Sequence, residues 1–176
     1  MDGEDDLRDD VDLAVRRWTR ALGDGGWLRF WDPLDVRALC VARETLAYRS
    51  ALADLAFAMQ GLCGVPIARF GTAQQRERWL PHLASGRTIG AFALSERDAG
   101  SDAAAIETRA RRDGDAYVLD GEKAWISNAG IADRYVVFAR TSDDGKRGIS
   151  AFVVEAGAPG LERVERIEPL SPHPLG

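Results

Sequence analysis

Along the first half of the chain the apolar residues recur at helical spacing. Val11, Val15, Trp18 and Leu22 fall four, three and four apart, one face of an amphipathic helix. Gly23-Asp24-Gly25-Gly26 is expected to stop it, and Trp27-Leu28-Arg29-Phe30-Trp31 follows as an aromatic connector suited to core packing. Asp32 as N-cap, Pro33 at the first helical position and Asp35 in the first turn predict a second helix. Its pattern runs to about Leu62, with Leu52, Leu55, Met59 and Leu62 on one stripe, and Gly61, Gly64 and Pro66 are expected to end it. Thr72 and Gln75 form the T-x-x-Q signature of a capping box, opening a helix through Leu80. Pro81 predicts a kink or a separate last turn, and Gly86 the end.

From Thr88 the period changes to two. Ile89–Leu94 reads as a short buried strand that runs into the polar turn Ser95-Glu96-Arg97-Asp98-Ala99-Gly100-Ser101-Asp102. Ile106, Thr108 and Ala110 alternate with Glu107, Arg109 and Arg111, and Asp113-Gly114 turns that strand into Ala116–Leu119 as a hairpin. Residues 123–127, 134–139, 148–154 and 161–167 are further strands, with turn residues between them. Helices followed by strands predict an α+β fold in segregated halves. The expected division is an N-terminal α-helical bundle over residues 1–87 and an antiparallel β-sandwich or barrel over 88–176. The sequence stops at His173-Pro174-Leu175-Gly176 with no strand to close the sheet, so the β-domain is expected to be incomplete.

Composition removes several classes of function. A formal net charge of −5 argues against a nucleic-acid partner, which would select a basic face. Cys40 and Cys63 are far apart, without metal-ligand spacing, and read as free thiols of a reducing compartment. With only His82 and His173 there is little material for a His-based metal site or triad. The opening twelve residues carry seven acids and lack the apolar core of a signal peptide. The most apolar window, 51–68, is interrupted by Asp54, Gln60 and Pro66 and is expected not to span a bilayer. Together these predict a cytoplasmic protein with no metal.

Two stretches carry candidate chemistry. The first joins the strand to a turn with hydroxyls at Ser95 and Ser101 and an unhindered backbone at Gly100, where main-chain N–H groups can meet phosphate or carbonyl oxygens. The second, Gly121-Glu122-Lys123-Ala124-Trp125-Ile126-Ser127-Asn128-Ala129-Gly130, sets an indole between two turns with a hydroxyl two residues on. Each has a plainer reading: an Asp/Gly/Ser turn, a core-packing tryptophan, satisfied strand hydroxyls. Glu96, Asp98 and Asp102 form a carboxylate cluster better suited to capping backbone N–H groups than to metal, and Glu122-Lys123 reads as turn charge.

Taken together and in order, Leu94-Ser95-Glu96…Ala99-Gly100-Ser101-Asp102 and Gly121-Glu122-Lys123-Ala124-Trp125-Ile126-Ser127-Asn128 resemble the middle domain of the acyl-CoA dehydrogenases. Phe70-Gly71-Thr72…Gln75…Trp79-Leu80-Pro81…Leu83-Ala84-Ser85-Gly86 is similar to the helix leading into that domain. The likeness covers roughly residues 38–176, as several ordered motifs. It implies FAD as cofactor, bound by Phe92, Leu94, Ser95, Gly100, Ser101, Trp125, Ile126 and Ser127, with Ser101 also meeting an acyl-CoA substrate. An electron-transfer flavoprotein or other acceptor would be the redox partner, and the intact protein a homo-oligomer. The implied reaction is α,β-dehydrogenation of an acyl thioester, with a carboxylate base supplied by a C-terminal helical domain expected beyond Gly176. No residue of this chain is therefore nominated as catalytic. Two departures bear on substrate: Arg97 stands where the family usually has proline, and the segment between Trp27 and Pro33 is shorter than the family's glycine-rich loop. The other readings are a non-catalytic remnant that binds flavin or acyl-CoA or only pairs with another chain, and a related flavoenzyme of the nitroalkane oxidase or flavin monooxygenase type.

Overall fold

Four helices precede a five-stranded sheet in the computed structural model, which describes residues 11–30, 33–171 and 173–176. Helix α1 (Val11–Asp24) buries Ala14, Val15, Thr19 and Leu22 and continues through Gly23, beyond the expected stop. The aromatic connector forms a single 3-10 turn, Trp27–Arg29, with Leu28 fully buried and Trp27 and Phe30 packed against the core.

Helix α2 (Val36–Arg49) starts later than its sequence signal. Asp35, not Asp32, is the N-cap, its carboxylate accepting the N–H groups of Arg37 and Ala38 at 3.1 Å each. Asp32 itself lies outside the described residues. The predicted long helix is two helices, divided at Ser50. This residue adopts extended dihedrals and its hydroxyl accepts the Ala53 N–H, so one side chain ends α2 and caps α3 (Ala51–Phe70). Helix α3 runs on through Gly61, Gly64 and Pro66, because α1, α2 and α4 all pack on it and β1 lies against it. Burial there outweighs the helix-breaking tendency of those residues. By length and composition α3 could cross a membrane, although half of it is buried inside the protein. The polar residues within it are used: Asp54 pairs with Arg43, and Gln60 is buried with three partners. Helix α4 (Ala73–Ala84) opens on the predicted capping box, with both reciprocal bonds formed, and runs unbroken through Pro81.

The sheet is mixed rather than antiparallel. Strand β1 (Gly90–Ala93) pairs in parallel with the first half of β4 (Arg134–Arg140), from Gly90 opposite Arg134 to Ala93 opposite Val137. Strand β5 (Ile149–Glu155) covers the whole of β4 antiparallel. Strand β2 (Arg109–Asp113) meets β4 only at Arg109–Arg140 and forms a hairpin with β3 (Ala116–Asp120). The two loop residues of that hairpin are Gly114-Asp115, one later than the sequence signal, with Gly114 at φ 60°. A parallel pairing between β1 and β4 needs no adjoining turn, so no local pattern announces it.

Two expected strands are absent as strands. Residues 161–166 carry no regular pairing, and only Ile167 bridges Leu175. Residues 123–127 form an irregular segment whose far end pairs with the last residues of the sequence. Ile126 exchanges both backbone bonds with Gly176, and the Asn128 N–H reaches the Pro174 carbonyl at 2.7 Å. The terminal segment that offered no strand signal thus lies along residues 126–128.

A single core runs from the helices into the sheet, from Val15, Leu28 and Phe57 to Ala91, Ile126 and Val136. Gln60 joins the two halves: its amide donates to the carbonyls of Leu83 and Thr88, and its oxygen accepts the Gly90 N–H at 2.7 Å. A Cβ at Gly90 would lie 2.4 Å from that of Cys63, so glycine is what lets β1 lie against α3.

Candidate functional site

Strand β1 ends at Ala93, and β2 takes up the same edge of β4 only at Arg140. The loop 94–108 leaves and re-enters the sheet in that gap, and residues 121–128 lie against its start. The bond that joins the two segments runs from the Ala124 N–H to the Ser95 carbonyl, 3.0 Å. The two stretches singled out in the sequence are therefore neighbours in space, although only one of them leaves a strand.

Around that bond the contacts are charged and nearly buried. Lys123 Nζ donates to Glu96 Oε1 at 2.7 Å and to the Leu94 carbonyl at 3.0 Å. The two side chains are 11% and 9% exposed. Glu96 also accepts the N–H of Glu107 at 2.5 Å and of Thr108 at 3.0 Å. Burial by itself would push the Glu96 carboxyl up, but the Glu107 N–H, the Lys123 ammonium and the Thr108 N–H outweigh it and hold the group at about 2. Burial pulls the Lys123 ammonium down from its ordinary value, with Glu96 opposing. The sequence reading missed this pair, taking Lys123 as turn charge. The available signal was one carboxylate in the first motif and one ammonium in the second.

Trp125 follows directly. It is 48% exposed, and its φ of 58° lies in the left-handed region, which a bulky side chain rarely adopts. The neighbouring bonds hold it there: Ala124 to Ser95 on one side and Ile126 to Gly176 on the other. Asn128, also left-handed at φ 66° and 1% exposed, donates its side-chain amide to the Gly90 carbonyl at 3.1 Å and so fastens the far end to β1. The Tyr135 hydroxyl donates to the Ala129 carbonyl one step further on.

The other predicted site residues are placed as follows. Leu94, Ser95 and Ser127 are half-buried, while Gly100 and Ser101 are exposed on the loop, with nothing within 4 Å of the position a Gly100 Cβ would take. Among the described residues, the N–H groups of Ser95, Trp125 and Ser127 have no backbone acceptor. Phe92 is half-buried in the sheet with its ring 4.9 Å from that of Phe138. Ile126 is 5% exposed in the core and both its backbone groups are taken by Gly176, so neither its side chain nor its N–H is free for a ligand. Of the acidic cluster, Asp102 caps the short turn at Ala103–Ala105 through the Ala104 N–H, Glu96 faces Lys123, and Asp98 is exposed. A cavity of about 460 Å³ opens beside Ala105, Ile106, Glu107, Arg109 and Arg140, and none of the predicted site residues lines it.

The arrangement puts a half-exposed tryptophan and the Ser95 and Ser127 hydroxyls on two segments joined by a backbone bond and a nearly buried ion pair. That suits a planar, apolar-faced ligand with polar edges.

The model of the acyl-CoA dehydrogenase N-terminal domain matches residues 12–87, and that of the acyl-CoA dehydrogenase middle domain matches residues 91–174. The short-chain specific acyl-CoA dehydrogenase of Bos taurus mitochondria is 44% identical over 130 residues, which is 73% of this chain and 32% of that protein. An acyl-CoA dehydrogenase from Bacillus anthracis, solved complexed with FAD, superposes with a TM-score of 0.76 at 32% identity, covering 87% of this chain and 28% of its own. A glutaryl-coenzyme A dehydrogenase solved as its glutaryl-CoA complex gives a TM-score of 0.81 at 26% identity, over 94% and 51%. The chain spans about a third of the length of the curated relatives it matches. From its helical half through the Trp125 segment, this chain belongs to the acyl-CoA dehydrogenase family.

Proposed function

We propose that the chain forms the flavin-facing wall of an FAD-dependent acyl-CoA dehydrogenase, with residues 1–87 as its helical part and 88–176 as its β part. The Ala124–Ser95 bond carries the reading, because it holds the backbone just before Trp125 against Ser95. The residues fit an isoalloxazine ring: Trp125 would cover one face and keep water from it, while Ser95 and Ser127 would donate to polar atoms on its edge. Leu94 lines the same junction. The exposed Gly100 backbone and Ser101 hydroxyl are placed to meet a pyrophosphate or the acyl-CoA. The chemistry FAD supplies when bound is acceptance of hydride from the β-carbon of an acyl thioester.

The α-proton must go to a carboxylate, and Glu96 is unsuited. A group held at about 2, with Lys123 and two N–H groups on its oxygens, lacks the basicity for the task. No residue of this chain is assigned as base. An electron-transfer flavoprotein or other acceptor and a homo-oligomeric assembly belong to the same proposal, supported by the family relationship.

Calorimetric titration of the 176-residue chain with FAD tests the reading. Saturable binding that is lost in a Trp125→Ala, Ser127→Ala double variant of unchanged fold is the expected result. Equal binding by both proteins would overturn it. With an artificial acceptor, these residues alone are expected not to turn over any acyl-CoA, and measurable turnover would show that the base lies within them.

A further inference from the structure

Leu94, Ser95 and Glu96 each accept one hydrogen bond from the Trp125 segment: the Leu94 carbonyl from Lys123 Nζ, the Ser95 carbonyl from the Ala124 N–H, and the Glu96 carboxylate from Lys123 Nζ again. The carboxylate is anchored in turn to Glu107 and Thr108, at the entry to β2, and the backbone of Glu96 exchanges bonds with Ala99. The ammonium thus bridges a strand end and a turn that share no other side-chain bond to residues 121–125 among the described residues. Its side chain and its partner's are nearly excluded from water, so neither can be released cheaply.

We propose that Lys123 and Glu96 act as a positioning pair that sets the gap between the Ser95 donors and the Trp125 indole, and with it the affinity and geometry of flavin binding. The inference rests on the flavin reading above. Neither residue need touch the ring. A site whose supporting bonds are removed loosens even when its contact residues are intact. The left-handed φ of Trp125 is flanked by the Ala124–Ser95 and Ile126–Gly176 bonds, so loosening of the first bears on it directly.

The test is FAD titration of the 176-residue chain and of Lys123→Met, Glu96→Gln and Lys123→Arg variants, with far-UV circular dichroism reporting the fold. Lys123→Met and Glu96→Gln that keep the native spectrum are expected to bind FAD roughly tenfold or more weakly, the order seen when outer partners of a site are removed. The visible flavin band should lose resolution in both, and Lys123→Arg, which restores a cation, should recover part of each effect. A pair that served the fold alone would leave folded variants with the parent's affinity and band shape, and that result overturns the proposal while leaving the flavin site in place. Should Lys123→Met fail to fold, Glu96→Gln and Lys123→Arg carry the same decision. Absence of FAD binding by the unsubstituted chain would remove the site reading and the positioning pair together.

Discussion

The carbonyl of Ser95 accepts the N–H of Ala124 at 3.0 Å, and this contact between segments nearly thirty residues apart holds the residue before Trp125 against the start of the loop that follows β1. The Glu96–Lys123 ion pair joins the same two segments.

Acid should weaken the fold through Glu96. Its folded value of about 2 lies below the unfolded value of about 4.3. The stabilisation is therefore fully present above the unfolded value and is lost as pH falls through that range to the folded one. Chemical denaturation at pH 5 and at pH 2 should show a larger loss for the parent chain than for Glu96→Gln, by about 3 kcal/mol. Parallel losses in the two proteins would mean that Glu96 is not held in this way.

Gln60 should prove indispensable to the junction of helices and sheet. Gln60→Leu preserves bulk but strands the Thr88 carbonyl and the Gly90 N–H, while the Leu83 carbonyl keeps the Gly86 N–H. A loss of about 3 kcal/mol or more in unfolding free energy is expected, since each buried group left unpaired costs about 1–3 kcal/mol. A change below about 1 kcal/mol would show that water or a shift of β1 replaces the side chain.

Gly90→Ala tests the approach of β1 to α3. The new methyl would fall 2.4 Å from the Cys63 Cβ, and overpacking of this kind costs about 1–3 kcal/mol. Thermal unfolding should reveal the loss, and a Cys63→Gly background should return part of it. Without that suppression the clash is not the cause.

Thr72→Ala removes the hydroxyl that accepts the Gln75 N–H and half of the reciprocal cap of α4. The expected cost is about 1 kcal/mol, with Thr72→Ser near neutral. Equal losses in both variants would point to the threonine methyl instead.

Local chemistry was legible in the sequence wherever it decided the outcome. The Thr72–Gln75 cap, the α1 stripe and the 109–120 hairpin follow from side chains a few residues apart. Long-range packing was not legible. Gly64 and Pro66 read as a stop, yet α3 passes through them because helices and β1 surround it. Ser50 divides two helices with a hydroxyl that served as an ordinary polar residue in the pattern. Trp125-Ile126-Ser127 alternates like a strand, but its backbone partner is the terminal segment 174–176, which carries no strand signal of its own. At the candidate site, the ordered motifs singled out two segments that the fold brings together, while the ion pair joining them spans residues too far apart in the chain to be read as a pattern.

The proposed flavin site requires the Trp125 indole to lie against a bound isoalloxazine. Flavin emission measures that contact most directly, because an indole in contact with the excited ring quenches it. FAD bound to the parent chain should be nearly dark, and FAD bound to Trp125→Ala at saturating protein should recover its emission. Equal quenching in both, with FAD demonstrably bound, would contradict the placement of Trp125 at the flavin.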